Sequence, residues 1–362
     1  MRVKPEDGFG TVAFRDHRGY EPPMKFRTLS PAIPPVSEIG FGVWTVATTW
    51  WGIKDASIGV SLLREAHALG VNFYDTADVY GKGLGETILR EAFGDKVNDL
   101  VIATKFSYLW EEVGERTGHG ELPQDWSPAF IRRACEGSLK RLGRDWIDLY
   151  QLHNPRMEVV RSPEVLETLE SLKQEGKIRA YAAALGPDIG WEAEGKAALD
   201  KYPVLQVIYS LLEPDPTARL IPLAEKKGAK FLVRVPHASG LLDGSYNPAK
   251  HFEKSDHRNH RKELWMQAGV AAVEELKKIL STERTLAQSS LLFTLAPEAT
   301  ATVLPNFTSA TQMKEFIQAV EKPPLSREEL QKVTALWNGS LSEKLTQPFA
   351  DSSSKPTPRK AA

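Results

Sequence analysis

Four side chains that can hold or transfer a proton follow predicted strands in the first half of the chain. Asp75 ends the run VNFYD, Lys105 ends LVIATK, His153 ends IDLYQLH, and Tyr80 follows Asp75 by five residues. A lysine ammonium group favours the phenolate, so it lowers the pKa of a neighbouring tyrosine from its usual value of about 10. An aspartate keeps that lysine charged, and a histidine can orient a carbonyl oxygen or help to transfer the proton. The set suits protonation of an oxygen while a hydride reaches the carbon, and a cofactor must supply the hydride because no side chain can.

The elements that must position these residues are short apolar runs alternating with segments of helical periodicity. The predicted strands are 39–43, 71–74, 100–104, 147–152, 178–184, 204–209, 230–235 and 301–304. The clearest predicted helices are 57–69, 128–142, 163–174 and 309–320. Ser127-Pro128 and Ser162-Pro163 each combine an N-cap with a proline at the first helical position. Continuous apolar runs are typical of parallel strands that are buried on both faces.

Eight strands alternating with about as many helices favour an α/β fold, a single-domain (β/α)8 TIM barrel. A doubly wound open sheet is the competing architecture. In a barrel, the carboxyl ends of the strands meet at the mouth, so Asp75, Lys105 and His153 are expected at equivalent depths there. Segment 25–36 is expected to form a hairpin across the barrel floor, and segment 327–337 an extra helix.

Composition excludes several other classes of protein. The 362 residues carry 46 basic and 47 acidic side chains, a net charge of −1, so we expect no nucleic-acid partner and no anionic membrane surface. No apolar stretch is long enough to span a bilayer, and residues 1–20 are too charged for a secretory signal, so a cytoplasmic location is expected. The single cysteine, Cys135, is expected to pack inside a helix.

The charge balance leaves the oligomeric state open. The predicted domain organisation has three parts. They are an N-terminal extension (1–23), the barrel (24–340) and a C-terminal tail (341–362) that is expected to be disordered.

A series of motifs resembles the aldo-keto reductase family. In order along residues 24–320 they are MKFRTL, VSEIGFGVW, GVNFYDTADVYG, VIATKF, WIDLYQLHNP, QVIYSLL, RVPHASGLLDGSY and VLPNFTSATQMKEF. The resemblance implies a (β/α)8 barrel that binds an extended nicotinamide cofactor, usually NADP(H), without a Rossmann domain. It also implies that Asp75, Tyr80, Lys105 and His153 are the catalytic tetrad, with Tyr80 as the general acid.

The same resemblance implies a set of cofactor-binding residues. Gln206 is expected to contact the nicotinamide carboxamide, Tyr209 to stack on the nicotinamide, and the segment from Arg234 to Leu241 to pass beneath the pyrophosphate. The full set is Gly42, Val43, Trp44, Gln206, Tyr209, Arg234, Pro236, Ser239, Gly240, Leu241, Asn306, Thr308 and Gln312.

Five positions depart from the family pattern on the cofactor side, and one of them is His237, which stands where an apolar residue is common. Ala184 and Leu185 stand where the family usually has a Ser-Asn pair, and Phe316 stands where an adenine-contacting Asn is expected. Thr308 stands where a Lys or Arg commonly binds the adenosine 2′-phosphate. A charge-assisted hydrogen bond contributes about 1.5–3 kcal/mol, so its loss weakens discrimination against NAD(H). The expected cofactor is NADP(H), with NAD(H) as the other option.

Tryptophans are concentrated in the loops that follow the first and third predicted strands. We expect Trp44, Trp51, Trp110 and Trp126, together with Trp50, to line a pocket for a sugar, an aromatic ring or another bulky carbonyl compound. His251, His257 and His260 lie in a highly charged segment that is typical of a solvated surface, so no metal site is predicted.

The leading prediction is an NAD(P)(H)-dependent oxidoreductase that interconverts a carbonyl compound (aldehyde, ketone or sugar) and an alcohol. One alternative is a redox-neutral lyase or isomerase that uses the same four residues on a keto-sugar-like substrate. Another is a barrel that only binds a ligand, since fold does not fix function.

Overall fold

The computed structural model describes residues 24–48, 52–112, 121–186, 191–243, 246, 263–341 and 345. The predicted extension 1–23, most of the predicted tail 341–362, and residues Trp50, Trp51, His251, His257 and His260 lie outside the described residues.

Ten strands form a small hairpin and a large sheet. They are β1 (Phe26–Arg27), β2 (Val36–Ser37), β3 (Phe41–Gly42), β4 (Phe73–Asp75), β5 (Val101–Phe106), β6 (Ile147–His153), β7 (Ile178–Ala184), β8 (Val204–Ile208), β9 (Lys230–Arg234) and β10 (Thr300–Leu304). Strands β3 to β10 are parallel and pair in sequence order, and each strand neighbours the next along the chain.

The parallel sheet closes on itself beside β3. Ile39 bridges Val303 of β10 in parallel register, and backbone bonds of 2.8 and 2.9 Å join Gly40 and Glu38 to Val303. The predicted (β/α)8 barrel is therefore confirmed, and the open doubly wound alternative is wrong. Closure is what brings the carboxyl ends of distant strands to one mouth.

Helices surround the barrel. They are α1 (Trp44–Ala47), α2 (Ala56–Ala68), α3 (Leu84–Phe93), α4 (Pro128–Leu142), α5 (Met157–Arg161), α6 (Pro163–Gln174), α7 (Glu192–Ala198), α8 (Thr217–Lys227), α9 (Glu263–Ile279), α10 (Leu286–Leu295), α11 (Ala310–Ile317) and α12 (Arg327–Leu336). The predicted caps of α4 and α6 are confirmed, because Ser127 and Ser162 accept backbone hydrogen bonds from Phe130 and Val165. Cys135 is buried in α4 as predicted.

The hairpin of β1 and β2 covers the floor of the barrel, as the sequence predicts. Leu29, Ile33 and Val36 pack against the residues that fill the barrel from inside. Those interior residues are Phe73, Val101, Ala103, Leu149, Ala180, Ala182, Val204, Leu232, Ala301 and Leu304. Strand side chains alternate, so the residues two positions beyond Phe73, Ala103, Leu149, Val204 and Leu232 also face the barrel axis, closer to the mouth. They are Asp75, Lys105, Gln151, Gln206 and Arg234.

Predicted and observed elements differ mainly at their ends. Predicted strand 71–74 is displaced to Phe73–Asp75, so Asp75 itself is a strand residue. Predicted helix 309–320 ends at Ile317 and continues as a 3₁₀ turn over Gln318–Glu321. Two helices, α9 and α10, lie between β9 and β10, one more than a single helix after each strand. In the described part of the chain no helix is long and apolar enough to cross a membrane.

Candidate active site

Lys105 lies at the centre of a cluster at the mouth end of the barrel. Its ammonium group is 2.5 Å from Asp75 Oδ2 and 2.7 Å from the carbonyl oxygen of Thr76. It also donates a hydrogen bond of 3.3 Å to the Tyr80 hydroxyl. Burial alone lowers the pKa of Lys105, but the charges and hydrogen bonds of Asp75 and Tyr80 outweigh burial and raise it above its ordinary value. Lys105 is therefore a charged group held beneath the Tyr80 hydroxyl.

Asp75 is held on its other oxygen by two amides. Gln151 and Gln206 each donate a hydrogen bond of 2.8 Å to Asp75 Oδ1. All three residues are buried, and the carboxylate is fully engaged by Lys105 on one side and by the amides on the other. This arrangement meets the condition under which a buried ion pair is stable, because the remaining acceptor sites are satisfied.

Tyr80 is followed by a turn in which three successive residues have positive φ values. Gly81, Lys82 and Gly83 have φ values of 56°, 54° and 91°. Two of the three are glycines, which adopt positive φ at no steric cost. The turn reverses the chain before α3 and leaves the Lys105 ammonium 4.9 Å from the centre of the Tyr80 ring.

His153 stands at the end of β6 and faces two tyrosines edge-on. Its ring centre is 5.9 Å from that of Tyr80 and 5.0 Å from that of Tyr108. Burial, together with the positive charges of Lys105 and Arg234, lowers its pKa well below the ordinary value, so the imidazole is neutral at neutral pH. Its Nδ1 atom is buried and has no hydrogen-bond partner among the described residues.

Tyr108 belongs to a network that joins two mouth loops. Its hydroxyl accepts a hydrogen bond of 2.8 Å from Asn154 and donates one of 3.1 Å to Glu121. The other oxygen of Glu121 accepts from Arg156 at 2.9 Å. The network fixes the ring that contacts His153.

Arg234, at the end of β9, is a second cation in the mouth. It is half-buried, and its Nη2 donates a hydrogen bond of 3.0 Å to the carbonyl oxygen of Leu185. Burial lowers its pKa, while the charges of Tyr80, Asp75 and other groups act in the opposite direction. Arg234 therefore lies close enough to the tetrad to affect it.

The residues predicted to hold the nicotinamide end of a cofactor have other partners in this structure. Gln206 bonds to Asp75, and Tyr209 is buried with its ring stacked on Phe293 at 5.0 Å. The backbone N–H of Val43 donates to the carbonyl oxygen of Asp75 at 2.9 Å. The structure thus brings Gln206 and Val43 together with Asp75 and places the Tyr209 ring in the core.

The residues predicted to bind the adenosine end lie at the start of α11 and beside β3. A Cβ atom at Gly42 would lie 3.8 Å from Oδ1 of Asn306, so the two residues are neighbours. Gln312 Oε1 accepts hydrogen bonds from both the backbone and the hydroxyl of Thr308, at 2.9 and 2.8 Å. Phe316 is buried and packs on the ring of His237 at 4.3 Å, so it lies in the core between α11 and the loop after β9.

The loop after β9 has an unusual backbone. Val235, Ala238, Ser239 and Gly240 all have positive φ, between 45° and 97°. Pro236 is fixed by a hydrogen bond of 2.5 Å from Ser290, and Leu241 is buried. The loop is a strained but well-anchored segment that continues as a kinked 3₁₀ segment over Ala238–Asp243, with non-helical backbone angles at Ser239 and Gly240.

The described tryptophans do not form one continuous wall. Trp44 is half-buried at the start of α1, and Trp126 packs edge-on against Phe106 at 5.9 Å. Trp110 lies beneath the guanidinium of Arg141 at 5.4 Å and bonds to the buried carboxyl of Asp78. The contacts of Trp110 are thus on the side of α3 and α4, and the contribution of these tryptophans to substrate binding stays a prediction.

Two site residues, Gln151 and Tyr108, were missed by the sequence analysis. Gln151 could have been found from strand periodicity, because it lies two positions before His153 and therefore faces the same side. Tyr108 follows Lys105 by three residues, beyond the end of β5, and no periodicity places it.

Comparison with known proteins identifies relatives along most of the chain. Residues 38–338 match the family model described as Aldo/keto reductase family. The uncharacterized oxidoreductase YqkF of Bacillus subtilis is 30% identical over 310 residues, which cover 85% of this chain and 94% of that protein. The NADH-specific methylglyoxal reductase of Escherichia coli is 34% identical over 219 residues, which cover 58% of this chain and 66% of that protein.

Solved structures agree with this assignment. The holo form of aldo-keto reductase AKR11C1 from Bacillus halodurans superposes with a TM-score of 0.70 at 31% identity, covering 90% of this chain and 100% of that one. The glycerol dehydrogenase AKR11B4 from Gluconobacter oxydans gives a TM-score of 0.74 at 27% identity, covering 92% of this chain and 98% of that one. The predicted family resemblance is confirmed: the chain is an oxidoreductase and belongs to the aldo/keto reductase family.

Proposed function

We propose that the protein is an NAD(P)(H)-dependent oxidoreductase that interconverts a small carbonyl compound and an alcohol, with Tyr80 as the general acid and base. The observation that carries this proposal is the position of Lys105, which bonds to both Asp75 and the Tyr80 hydroxyl. A charged ammonium group at this place stabilises the phenolate that remains after Tyr80 has donated its proton. The family membership supports a redox reaction, and no observation favours the redox-neutral or ligand-binding alternatives.

Three features of the mouth support binding of a dinucleotide. His153 Nδ1 is buried without a described partner, and Arg234 has a single neutral acceptor, so the mouth carries polar groups that can serve a ligand. The N-terminus of α11, capped by Ser309, attracts an anion through its N–H groups. These observations support cofactor binding by this chain.

The proposed cofactor contacts follow the family resemblance. Gly42, Val43 and Trp44 would approach the cofactor from β3, with Gln206 and Tyr209 on the nicotinamide side. The segment after β9, which includes Arg234, Pro236, Ser239, Gly240 and Leu241, would lie along the pyrophosphate. Asn306, Thr308 and Gln312 would lie along the adenosine. The bound nicotinamide supplies a hydride to the carbonyl carbon.

This chain's own residues perform the remaining steps. Tyr80 gives its proton to the carbonyl oxygen, while Lys105 stays charged and stabilises the phenolate that forms. Asp75 keeps Lys105 in place and is itself held by Gln151 and Gln206. Neutral His153 is oriented by Tyr108 and can bond to the substrate oxygen without competing for the proton.

The proposal also concerns cofactor choice. Thr308 is bonded to Gln312, and Lys314, the lysine of α11, is paired with Glu65 at 2.9 Å. No cation among the described residues of α11 is thus left for an adenosine 2′-phosphate, so NAD(H) should compete well with NADP(H). A fluorescence titration with each reduced cofactor tests the proposal. Binding of either one supports it, and binding of neither contradicts it.

A further inference from the structure

Two buried carboxyl groups lie on either side of Tyr80 along the chain. Asp78 comes two residues before Tyr80, and its backbone N–H donates a hydrogen bond of 3.2 Å to the carbonyl oxygen of Lys105. Glu86 lies in the first turn of α3. The backbone N–H of Gly85, just before Glu86, donates to the carbonyl oxygen of Tyr80 at 3.0 Å. The groups that hold the two carboxyls therefore also hold both ends of the Tyr80 turn, residues 80–85.

Arg141 of α4 contacts the far end of this turn. Its Nε donates a hydrogen bond of 2.6 Å to Glu86 Oε2. Glu86 Oε1 accepts another of 2.6 Å from the hydroxyl of Thr104, the residue before Lys105. The Arg141 side chain also packs on the backbone of Gly83, since a Cβ atom there would lie 2.7 Å from Arg141 Cδ. Arg141 therefore holds the end of the turn both by charge and by direct packing.

The charges around Asp78 allow one ionised carboxyl group but not two. The titratable and charged groups around it in the described chain are Glu86 of α3, Arg141 of α4 and Tyr150 of β6. Arg141 is the cation of this set, and it is already bonded to Glu86. Asp78 accepts a hydrogen bond from Trp110, but its Oδ1 is buried without a partner among the described residues. Burial and the charge of Glu86 raise the pKa of Asp78 well above its ordinary value, so Asp78 is a neutral acid.

Trp110 joins the loop after β5 to the same cluster. Its ring lies 5.4 Å from the guanidinium carbon of Arg141, and its N–H donates to Asp78. Tyr108, two residues before Trp110, faces the ring of His153 at 5.0 Å. Arg141 thus lies behind both loops that bring aromatic rings to the mouth from β4 and β5.

We propose that Arg141 is a positioning residue for Tyr80. It holds the end of the Tyr80 turn through its ion pair with Glu86, while Asp78 holds the beginning of the turn as a neutral acid. This inference rests on the proposed function, in which Tyr80 donates the proton. Without Arg141 the turn relaxes, and the Tyr80 hydroxyl loses its 3.3 Å contact with the Lys105 ammonium group. Arg141 therefore affects the reaction only through Tyr80.

A double-mutant cycle with Tyr80 tests the proposal, with methylglyoxal and 4-nitrobenzaldehyde as substrates. Arg141→Met should lower kcat by about 10- to 100-fold, the effect of a small displacement of a catalytic group, and leave the affinity for NADH and NADPH within about threefold. In Tyr80→Phe the same substitution should change the residual rate by less than about threefold, because the group that it positions is absent. Arg132→Met is the matched control on α4, since Arg132 forms an exposed ion pair with Glu175, and it should leave kcat unchanged.

Two further variants separate positioning from a loss of folding. Arg141→Met leaves the buried Glu86 carboxylate uncompensated, so the double variant Arg141→Met with Glu86→Gln should recover stability without recovering kcat. Arg141→Lys keeps the charge but loses the planar guanidinium, so it should recover part of kcat. An equal loss of rate in the wild-type and Tyr80→Phe backgrounds, or full kcat in the double variant, overturns the proposal.

Urea unfolding tests the neutral state of Asp78 without any need for turnover. An unfolded aspartate releases its proton near about pH 4, whereas folded Asp78 keeps it, so wild type should lose stability relative to Asp78→Asn as the pH rises. The urea midpoint of Asp78→Asn relative to wild type should therefore be higher at pH 8 than at pH 5. Asp200→Asn, at an exposed ion pair with Lys227, should show the same difference from wild type at both pH values.

The outcomes distinguish the two proposals. A midpoint difference between Asp78→Asn and wild type that is the same at pH 5 and pH 8 overturns the assignment of Asp78 as a neutral acid. A wild-type enzyme that binds cofactor but reduces neither aldehyde contradicts the proposed function itself, and the unfolding comparison still decides the state of Asp78.

Discussion

The ammonium group of Lys105 lies 3.3 Å from the hydroxyl oxygen of Tyr80, in position to donate a hydrogen bond to it. Lys105 comes from β5, whereas Tyr80 comes from the turn after β4. Asp75, the last residue of β4, holds the other side of the same ammonium group. The adjacent strands β4 and β5 thus fix the position of the Lys105 ammonium group. The turn through Gly81 and Gly83 places the Tyr80 ring beside that group.

Replacing Tyr80 with phenylalanine should remove turnover and leave cofactor binding intact. The loss of a general acid lowers kcat by about 10²- to 10⁴-fold. Steady-state kinetics and a fluorescence titration with NADH and NADPH measure the two effects. Tyr181→Phe is the control, because Tyr181 bonds to Glu170 on the outer side of the barrel. Turnover that persists in Tyr80→Phe contradicts the assigned role.

Replacing Lys105 with methionine should destabilise the protein as well as inactivate it. Asp75 would keep its bonds to Gln151 and Gln206 but lose its only close cation among the described residues. An uncompensated buried charge costs about 3–5 kcal/mol, so the urea midpoint should fall clearly.

The double variant Asp75→Asn with Lys105→Met tests the cause of that loss. It should recover most of the free energy of unfolding, because no buried charge is left, but it should not recover turnover. If Lys105→Met and the double variant have the same free energy of unfolding, the unpaired charge of Asp75 is not the cause of the lost stability.

The stability of the fold should decrease with acidification because of His237. Burial lowers the pKa of His237 from 6.5 to about 4, so the unfolded chain takes up the proton first as the pH falls. Above about pH 7.5 His237 therefore does not lower the free energy of unfolding. As the pH falls through 6.5 towards 4, protonation of His237 in the unfolded chain lowers the free energy of unfolding by up to about 3 kcal/mol.

His237→Phe isolates this contribution. Phenylalanine keeps an aromatic ring against Phe316 but cannot be protonated. Urea unfolding at pH 7.5 and pH 4.5 should show a smaller loss of stability in the variant than in the wild type. The same pH dependence in both proteins means that His237 is not the group responsible.

Introducing a cation at position 308 should shift cofactor choice towards NADP(H). Thr308→Arg places a guanidinium where the family resemblance puts the adenosine 2′-phosphate, and a charge-assisted hydrogen bond gives about 10- to 100-fold in affinity. The ratio of the dissociation constants for NADPH and NADH is the measurement. Thr334→Arg adds the same charge on α12 and should leave the ratio unchanged, since Thr334 lies on an exposed face. An unaltered ratio in Thr308→Arg contradicts the placement of the 2′-phosphate.

The sequence predicts the barrel, and it predicts that Asp75, Lys105 and His153 come together at one end of it, because both follow from strand periodicity. Asp75, Lys105 and His153 each follow the last residue of a predicted strand, and barrel closure brings the ends of these strands together. The floor hairpin was also predictable, because its apolar residues come just before the first barrel strand and are buried only if they pack against the barrel.

The remaining features depend on contacts between segments that are distant in sequence. The ring of Tyr209 packs on Phe293 of α10, 84 positions away, and this contact has no local signal. The boundaries of β4 shifted because hydrogen bonding to β3 and β5 decides where a strand ends.

Transfer of deuterium tests the central claim most directly. The protein is incubated with reduced cofactor that carries deuterium at C4 of the nicotinamide, and with a ketone or aldehyde that it consumes. Mass spectrometry should find deuterium on the carbinol carbon of the product with wild type, and at least about 100-fold less product in the same time with Tyr80→Phe. A product that forms without deuterium, or without oxidation of the cofactor, contradicts hydride transfer and favours a redox-neutral reaction at the same four residues.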